Sequence, residues 1–485
     1  MKKKIHTTFK TLLFREIHGA IVDFRFWVVL VLCLSIIPLS FYVSVKDYSQ
    51  RMSDYRQEVQ TYRDMTQLYA NMKAEGVHPP SPLSIFSRGM ENKMPYKVIT
   101  SRDGDYKIEY AKPDSKKDLL GAIDFGFIVT FVLSILAIVF TFNCISGDKE
   151  QGLLRAILAN AVYRRQILMA KLLGNYLVFL LPFLLSMLLS LLVVQLSEMI
   201  PVFSADILPA ILLMTGVSLV FLFALFNLGL WISALTANSA LSINILLLIW
   251  IVLGLVVPKI SPIISASVYP VESNSVFEAK KSLLRNNIMK EQRGEEEILY
   301  EQLRAQFMPE TSGISDGWSE ITKRYDEQVV PVYEKYNQRL ITEIGRLTDD
   351  YTMRCNRQNN LARTITCLSP ISIVNNLMAE FSGTGYSEAD HFIQQAKQYQ
   401  ETVKQEIYDK FIVKQYYAKG STMSNTKEVE GFDLKNASIP VLDNYKYLSL
   451  GVILQQNRMD IMLLCIYGLL FFVCAFISFL RFDVR

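Results

Sequence analysis

Six runs of apolar residues, each long enough to cross a bilayer, constrain this 485-residue chain more than anything else in its sequence. A hydrocarbon core about 30 Å thick takes roughly 20 helical residues. Lipid offers no partner to a bare backbone amide, so runs of this length span as α-helices. They fall at about 25–45, 120–144, 170–195, 207–235, 240–257 and 458–480. A hydrophobic share of 51% with a mean hydropathy of +0.23 is too apolar for a soluble chain carrying such runs. The segments 46–119 and 258–457 are charged and of ordinary globular composition, and the second alone is long enough for its own core. The expected fold class is an α-helical polytopic membrane protein with six transmembrane helices. Its two insertions build a mostly α domain that includes a small β-hairpin.

Basic residues set the expected orientation. Lys2, Lys3, Lys4, Lys10, Arg15 and Arg25 precede or open the first run, and Lys149, Arg155, Arg164, Arg165 and Lys171 crowd the stretch between the second and third. Arg481 and Arg485 follow the last run, while the loop 196–206 has no Lys or Arg. Cytoplasmic loops carry this excess, so both termini (1–24 and 481–485) and the connector 145–169 are expected inside, and the insertions 46–119 and 258–457 outside. The N-terminal run is longer than a signal-peptide core and no small-x-small cleavage site follows Pro38, so it is read as a retained span. Before it, Thr8 to Asp23 suits an interfacial helix, with Phe9, Leu12, Leu13, Ile17 and Ile21 on one side and Lys10, Arg15 and Glu16 off it.

Inside the runs polar residues are few. Asn175, Asn227 and Asn244 need partners in lipid and are expected to face other helices. No acidic or basic side chain sits mid-run, where an ion-coupled transporter usually places one. Cys33, Cys144, Cys465 and Cys474 lie in or at the runs as apolar packing residues. Cys355 and Cys367, twelve apart in an external segment, are a candidate disulfide, the alternative being two free buried thiols.

Outside the bilayer, Tyr48, Met52, Tyr55, Val59, Tyr62, Met65, Tyr69 and Met72 recur at three- and four-residue steps, predicting that the first span continues outward as one helix. The prolines of His78–Ser84 end it. Tyr96 to Tyr110 reads as a β-hairpin turning at Asp103-Gly104. Residues 258–270, broken by Pro258, Pro262 and Pro270, read as a re-entrant or interfacial piece. Helical stripes follow: Trp318, Ile321, Tyr325 and Val329; then Tyr336, Leu340, Ile344, Leu347 and Tyr351; then Phe392, Ala396, Tyr399 and Val403. Gly420 to Asn436 is a polar linker.

Catalytic motifs are missing from the sequence. His6, His18, His78 and His391 are scattered, and HExxH, CxxC and GxSxG do not occur. Gly147 and Gly152 have the spacing of a phosphate-binding loop, but Leu153 and Leu154 stand where Lys and Ser/Thr would hold phosphate and magnesium. Neither a metal site nor a nucleic-acid partner is expected. The connector is instead amphipathic: Leu154, Ile157, Leu158 and Ala161 share one side, with Arg155 and Asn160 on others.

This connector, GDKEQGLLRAILANAVYRRQILMAKLLG, resembles the first cytoplasmic loop of ABC-2 type transporter permeases, where E-x-G-T-L, P-x-S-R, I-L, G-K and L-G recur. Glu150, Gly152, Leu154, Leu158, Arg164, Ile167, Leu168, Lys171 and Gly174 fit, with Leu153 for the usual Thr and Ala161 for the usual Pro. The PPxPL-type segment (Pro79, Pro80, Pro82, Leu83) and the terminal FLRFDVR (Phe479–Arg485) are similar to the ABC-2 subgroup with the domain of unknown function DUF3526. The resemblance implies a non-enzymatic permease half in a cytoplasmic (inner) membrane, paired with a second permease subunit, identical or not. It also implies a dimer of separate cytoplasmic ATPase subunits that bind ATP and magnesium, this chain holding no cofactor itself. Asp148, Glu150, Gly152, Leu154, Arg155, Ile157, Leu158 and Arg164 are then the expected coupling residues, with Glu150 and Arg155 as charged contacts and Leu154, Ile157 and Leu158 as the apolar docking face. Substrate export is the expected activity. The alternatives are a mechanical transmitter acting on an envelope partner and a non-transporting receptor or scaffold.

Overall fold

The computed structural model describes residues 2–68, 74–100, 106–110, 123–159, 162–307, 314–403 and 445–481. Among the described residues, six helices are long and apolar enough to cross a membrane: Phe24–Thr61, Phe125–Glu150, Arg164–Leu196, Leu208–Leu235, Ser239–Val268 and Arg458–Arg481. Helix α1 (Lys2–Val22) precedes them. Helix α2 (Phe24–Leu68) contains the first span and, at 45 residues, runs roughly 68 Å, over twice the bilayer core. The tyrosine stripe predicted this continuation: Tyr48 is buried and Met52 packs on the core, while Tyr69 and Met72 lie outside the described residues.

The second span is α3 (Phe125–Phe127), a π-helical turn Ile128–Leu133 and α4 (Ser134–Thr141). Two short helices of the connector follow, α5 (Ser146–Glu150) and α6 (Leu153–Ala159). Then come α7 (Arg164–Leu196), the third span, and α8 (Leu208–Leu235), the fourth. The fifth span is α9 (Ser239–Ile251), a second π-helical turn Val252–Val256 and α10 (Val257–Val268). Here the expected re-entrant break at 258–270 is corrected, because the helix continues to Val268. Pro258 falls where the wide turn hands over to α10, so the hydrogen bond it cannot donate is one the changing register already gives up.

Helix α8 is the centre of the bundle and packs against α4, α7 and the sixth-span helix α16 (Arg458–Arg481). Its long run of buried residues includes Phe221, Phe226 and Asn227. Gly229 brings α8 against α4: a Cβ there would lie 1.9 Å from Thr141 Oγ1 and 2.6 Å from Thr141 Cβ, so only the bare backbone fits.

At one end of the bundle stands a three-stranded antiparallel sheet of β1 (Ala74–Val77), β2 (Pro95–Thr100) and β3 (Tyr106–Tyr110), in that order. β2 and β3 are the expected hairpin, β1 was not anticipated, and the Asp103-Gly104 turn lies outside the described residues. Beside the sheet rises a long helical hairpin, α11 (Asn274–Phe307) and α12 (Ile314–Thr366), the second uninterrupted by Pro331. Ile288, Tyr336, Leu340 and Ile344 form its seam, Lys335–Glu295 (2.7 Å) and Arg339–Glu291 (2.5 Å) flank it, and Phe277 stacks on Tyr351. The base of α12 is bonded to the fifth span, Ser261 Oγ donating to Ala362 O (3.1 Å) and Gln358 Nε2 to Tyr269 O (2.8 Å). Arg363 ties it to the sixth through Asp460 (2.8 Å) and Asn457 (2.7 Å).

This architecture rules out the candidate disulfide. Cys355 lies within α12 and Cys367 directly follows it, and both thiols are free. Twelve residues along one helix separate the Cα atoms by roughly 18 Å, far beyond the span of an S–S bridge.

Three further helices lie among the described residues: α13 (Pro370–Phe381), α14 (Tyr386–Val403) and α15 (Leu450–Gln456). Phe392, Ala396, Tyr399 and Val403 of α14 are buried, as their spacing predicted. Gly420–Asn436 lies outside the described residues. Helix α13, which sequence reading did not single out, has ten buried residues and touches both π-helical turns. Ser369 Oγ donates to Leu253 O (2.6 Å), and Thr130 Oγ1 donates to Asn375 Oδ1 (3.0 Å). The PPxPL segment grips its far end, with Ser81 Oγ donating to Ser382 O (2.7 Å) and Thr384 Oγ1 to Ser87 O (3.0 Å).

Candidate functional site

The connector occupies the end of the bundle opposite the sheet, together with α1, the turn between the fourth and fifth spans, and the end of the sixth. Its charged residues meet helix ends. Lys149 Nζ donates to Thr236 O (2.9 Å) and Ala234 O, the last carbonyls of α8. Glu150 next to it accepts from Ser239 N and Ser239 Oγ, both at 2.8 Å, at the first turn of α9. A cation thus sits at a helix C-terminus and an anion at the following N-terminus, the arrangement the helix dipoles favour. Ser233 Oγ accepts from the amides of Ile145 (3.0 Å) and Ser146 (2.9 Å), fixing the start of α5 to the same turn.

Asp148 joins the connector to two more elements. Lys171 Nζ, on α7, lies 2.6 Å from Asp148 Oδ2 and 3.5 Å from Glu16 Oε1 on α1. Lys171 is buried, so two carboxylates surround a cation taken out of solvent. Periodicity puts Glu16 on the polar side of α1, but its ion pair with Lys171 turns it onto the packed side. Phe9, Leu12, Leu13 and Ile17 of α1 are half-buried, and Ile21 is exposed. Arg25 Nη1 donates to Asn143 Oδ1 (2.5 Å), and Arg164 Nη1 donates to Leu480 O (2.8 Å), a terminal carbonyl of the sixth span. The connector is thereby bonded to the third, fourth, fifth and sixth spans, and Asn143 just before it to the first.

Between α5 and α6, Gly152 has φ +70°, a left-handed turn that only glycine adopts freely, and this lets the chain change direction within one residue. The apolar face expected to meet a partner points the other way: Leu154 is 1% exposed within the chain's own core, and Ile157 and Leu158 pack half-buried beside it. Periodicity correctly grouped these three residues but gave no sign of which body they would cover. The outward strip is Gln151, Leu153, Arg155, Ala156 and Ala159, with Leu153 40% exposed. Asn160 and Ala161 lie outside the described residues.

Of the three asparagines, Asn227 reaches across helices, donating to Phe223 O (2.9 Å) and to Gly468 O of α16 (3.4 Å). Asn175 bonds Lys171 O within its own helix. Asn244 is exposed on α9. Among the described residues no group of three or more His, Cys, Asp or Glu is placed to hold a metal ion.

A family profile described as "ABC-2 family transporter protein" matches residues 11–484. No curated protein matches the chain. With six membrane-length helices and a match over nearly its whole length, the chain belongs to the ABC-2 family of transporter proteins, the membrane subunits of ABC transporters.

Proposed function

We propose that this chain is the permease half of an ATP-driven exporter in the cytoplasmic membrane, and that a separately encoded ATPase seats on the outward strip of the connector. The observation that carries this reading is the Lys149–Glu150 bridge to the turn between the fourth and fifth spans. A force applied to α5 and α6 is passed to α8 and α9 through bonds rather than through lipid. Seen this way, Asp148, Glu150 and Arg164 hold the connector to the spans, and Leu154, Ile157 and Leu158 seat it. Arg155 and Leu153 are left to contact the motor, which binds ATP and magnesium. Both termini face the cytosol, and a second permease subunit completes the assembly. The PPxPL and terminal segments support membership of the DUF3526-bearing subgroup.

The test separates the two faces. Leu153→Asp and Arg155→Glu change exposed side chains and are expected to leave membrane insertion and thermal stability intact while abolishing co-purification with the ATPase. Leu154→Asp buries a charge in the core and should instead lower stability by several kcal/mol. An ATPase that still co-purifies with both surface variants would refute the docking face.

One observation favours a second reading, mechanical transmission to an envelope partner. The fifth span passes almost directly into the α11–α12 hairpin, whose base is bonded to both the fifth and sixth spans. Locking that base with an engineered cross-link between Ala362 and Ser261 would stop a transmitter. An exporter whose pathway lies within the bundle would keep working.

A further inference from the structure

Far from the connector, a cavity of about 680 Å³ opens between the outward part of α2, the His78–Ser81 loop and the sheet, within the size range of pockets for small organic ligands. Two mostly buried side chains that line it are incompletely hydrogen-bonded, although Arg88 Nη2 lies 3.7 Å from Asp47 Oδ2. Arg88, 13% exposed, has no hydrogen-bond partner at Nε or Nη1: Glu91 Oε2 lies 3.9 Å from Nε, too far for a bond. His78, 11% exposed, has none at Nε2, which is 3.8 Å from Glu388 Oε1. A buried donor left without an acceptor costs about 1–3 kcal/mol and more when charged, so natural folds leave few. Both residues line the same space, and a guanidinium presents the geometry that carboxylates match. Tyr55, Tyr96 and Tyr110 line the cavity, and Asp54 and Glu58, one turn apart on α2, supply negative charge to it.

We propose that this cavity binds a short peptide with free termini, its carboxylate on Arg88 and His78 and its ammonium group toward Asp54 and Glu58, with side chains against the tyrosines. The chemistry is zwitterionic because the lining is: Arg51, Arg88 and Lys107 stand beside Asp54, Glu58, Glu91 and Glu109, so a purely anionic or a purely cationic ligand would meet like charges. The site stands independently of what docks on the connector.

Isothermal titration of the full chain in detergent tests it, with an equimolar pool of tripeptides as probe in three forms: free, C-amidated and N-acetylated. The free pool is expected to bind, and C-amidation or Arg88→Gln to weaken binding at least tenfold. N-acetylation or Asp54→Asn should weaken it by a smaller factor. His78→Gln is the second variant should Arg88→Gln fail to fold, judged by thermal unfolding. No heat from the free pool would overturn the proposal. So would equal binding of the amidated pool, or inorganic phosphate competing as well as the peptides, which would mark a plain anion site.

Discussion

Replacing Lys171 with methionine tests whether the connector is held to the third span by charge. The unbranched methionine keeps most of the side-chain volume, so the packing of α7 is little disturbed, but Asp148 and Glu16 lose the cation between them. Removing one partner from a buried ion pair costs about 3–5 kcal/mol, because an uncompensated charge stays behind. The two carboxylates retain roughly a fifth of their side-chain exposure (21% and 20%), so water recovers some of that, and the low end, near 3 kcal/mol, is expected. Unfolding of the purified chain by SDS titration in mixed micelles, followed by tryptophan fluorescence, reads the difference. The triple variant Glu16→Gln, Asp148→Asn, Lys171→Met removes the whole cluster and should recover most of the loss, since neutral replacements of complete buried clusters are often tolerated. A single variant within about 1 kcal/mol of the parent, or a triple no better than the single, would show that the cluster does not hold the connector.

Other predictions are narrower. Gly229→Ala should sharply reduce the yield of folded protein, and Thr141→Ala should not rescue it, because the residual Cβ still lies 2.6 Å from the new methyl group; full rescue would contradict the packing of α8 on α4. Cys355 and Cys367 should both react with a maleimide after denaturation without reductant, and reducing and non-reducing gels should match; a mobility shift would restore the disulfide. Burial pushes Glu380, at the end of α13, above its usual 4.5, its bonds from Ser387 only partly offsetting this. The sign follows: a raised folded-state pKa favours the native state below the usual value, and that contribution is lost as pH rises through the raised one. Glu380→Gln should therefore flatten the fall in melting temperature on the alkaline side of pH 4.5, and an unchanged pH profile would refute this assignment.

Much of this architecture was legible in the residues, because lipid enforces simple rules. Span number followed from apolar run length, and the grouping of the connector with α1 and the end of the sixth span followed from lysine and arginine placement. The stripe Phe392, Ala396, Tyr399 and Val403 gave a buried helix face directly. What escaped were features fixed by partners distant in sequence. Glu150 reads as an exposed acid until Ser239 is seen beside it, 89 residues away. Leu154 reads equally well as facing a partner protein or its own core. Helix α13 left a usable signal, Ser369-Pro370 as cap and first turn followed by a short apolar run, of the length that suggests a buried or re-entrant segment rather than a span. The break expected after Val257 misjudged proline, which a wide helical turn accommodates when it falls at the turn's edge.

The two π-helical turns have a consequence of their own. Each wide turn stores roughly one residue more than the α-helix around it, and in an α-helix one residue is about 100° of rotation. Drawing the Val252–Val256 turn back into ordinary helix would swivel everything beyond it, α10 and then the long hairpin, by about that angle while the part below stayed still. Ser369 and Thr130 fasten the second and fifth spans to one short helix at these two wide turns, so a shift in either is felt by the other. A one-residue change of register deep in the bundle would thus be read far outside it as a sweep of the hairpin tip.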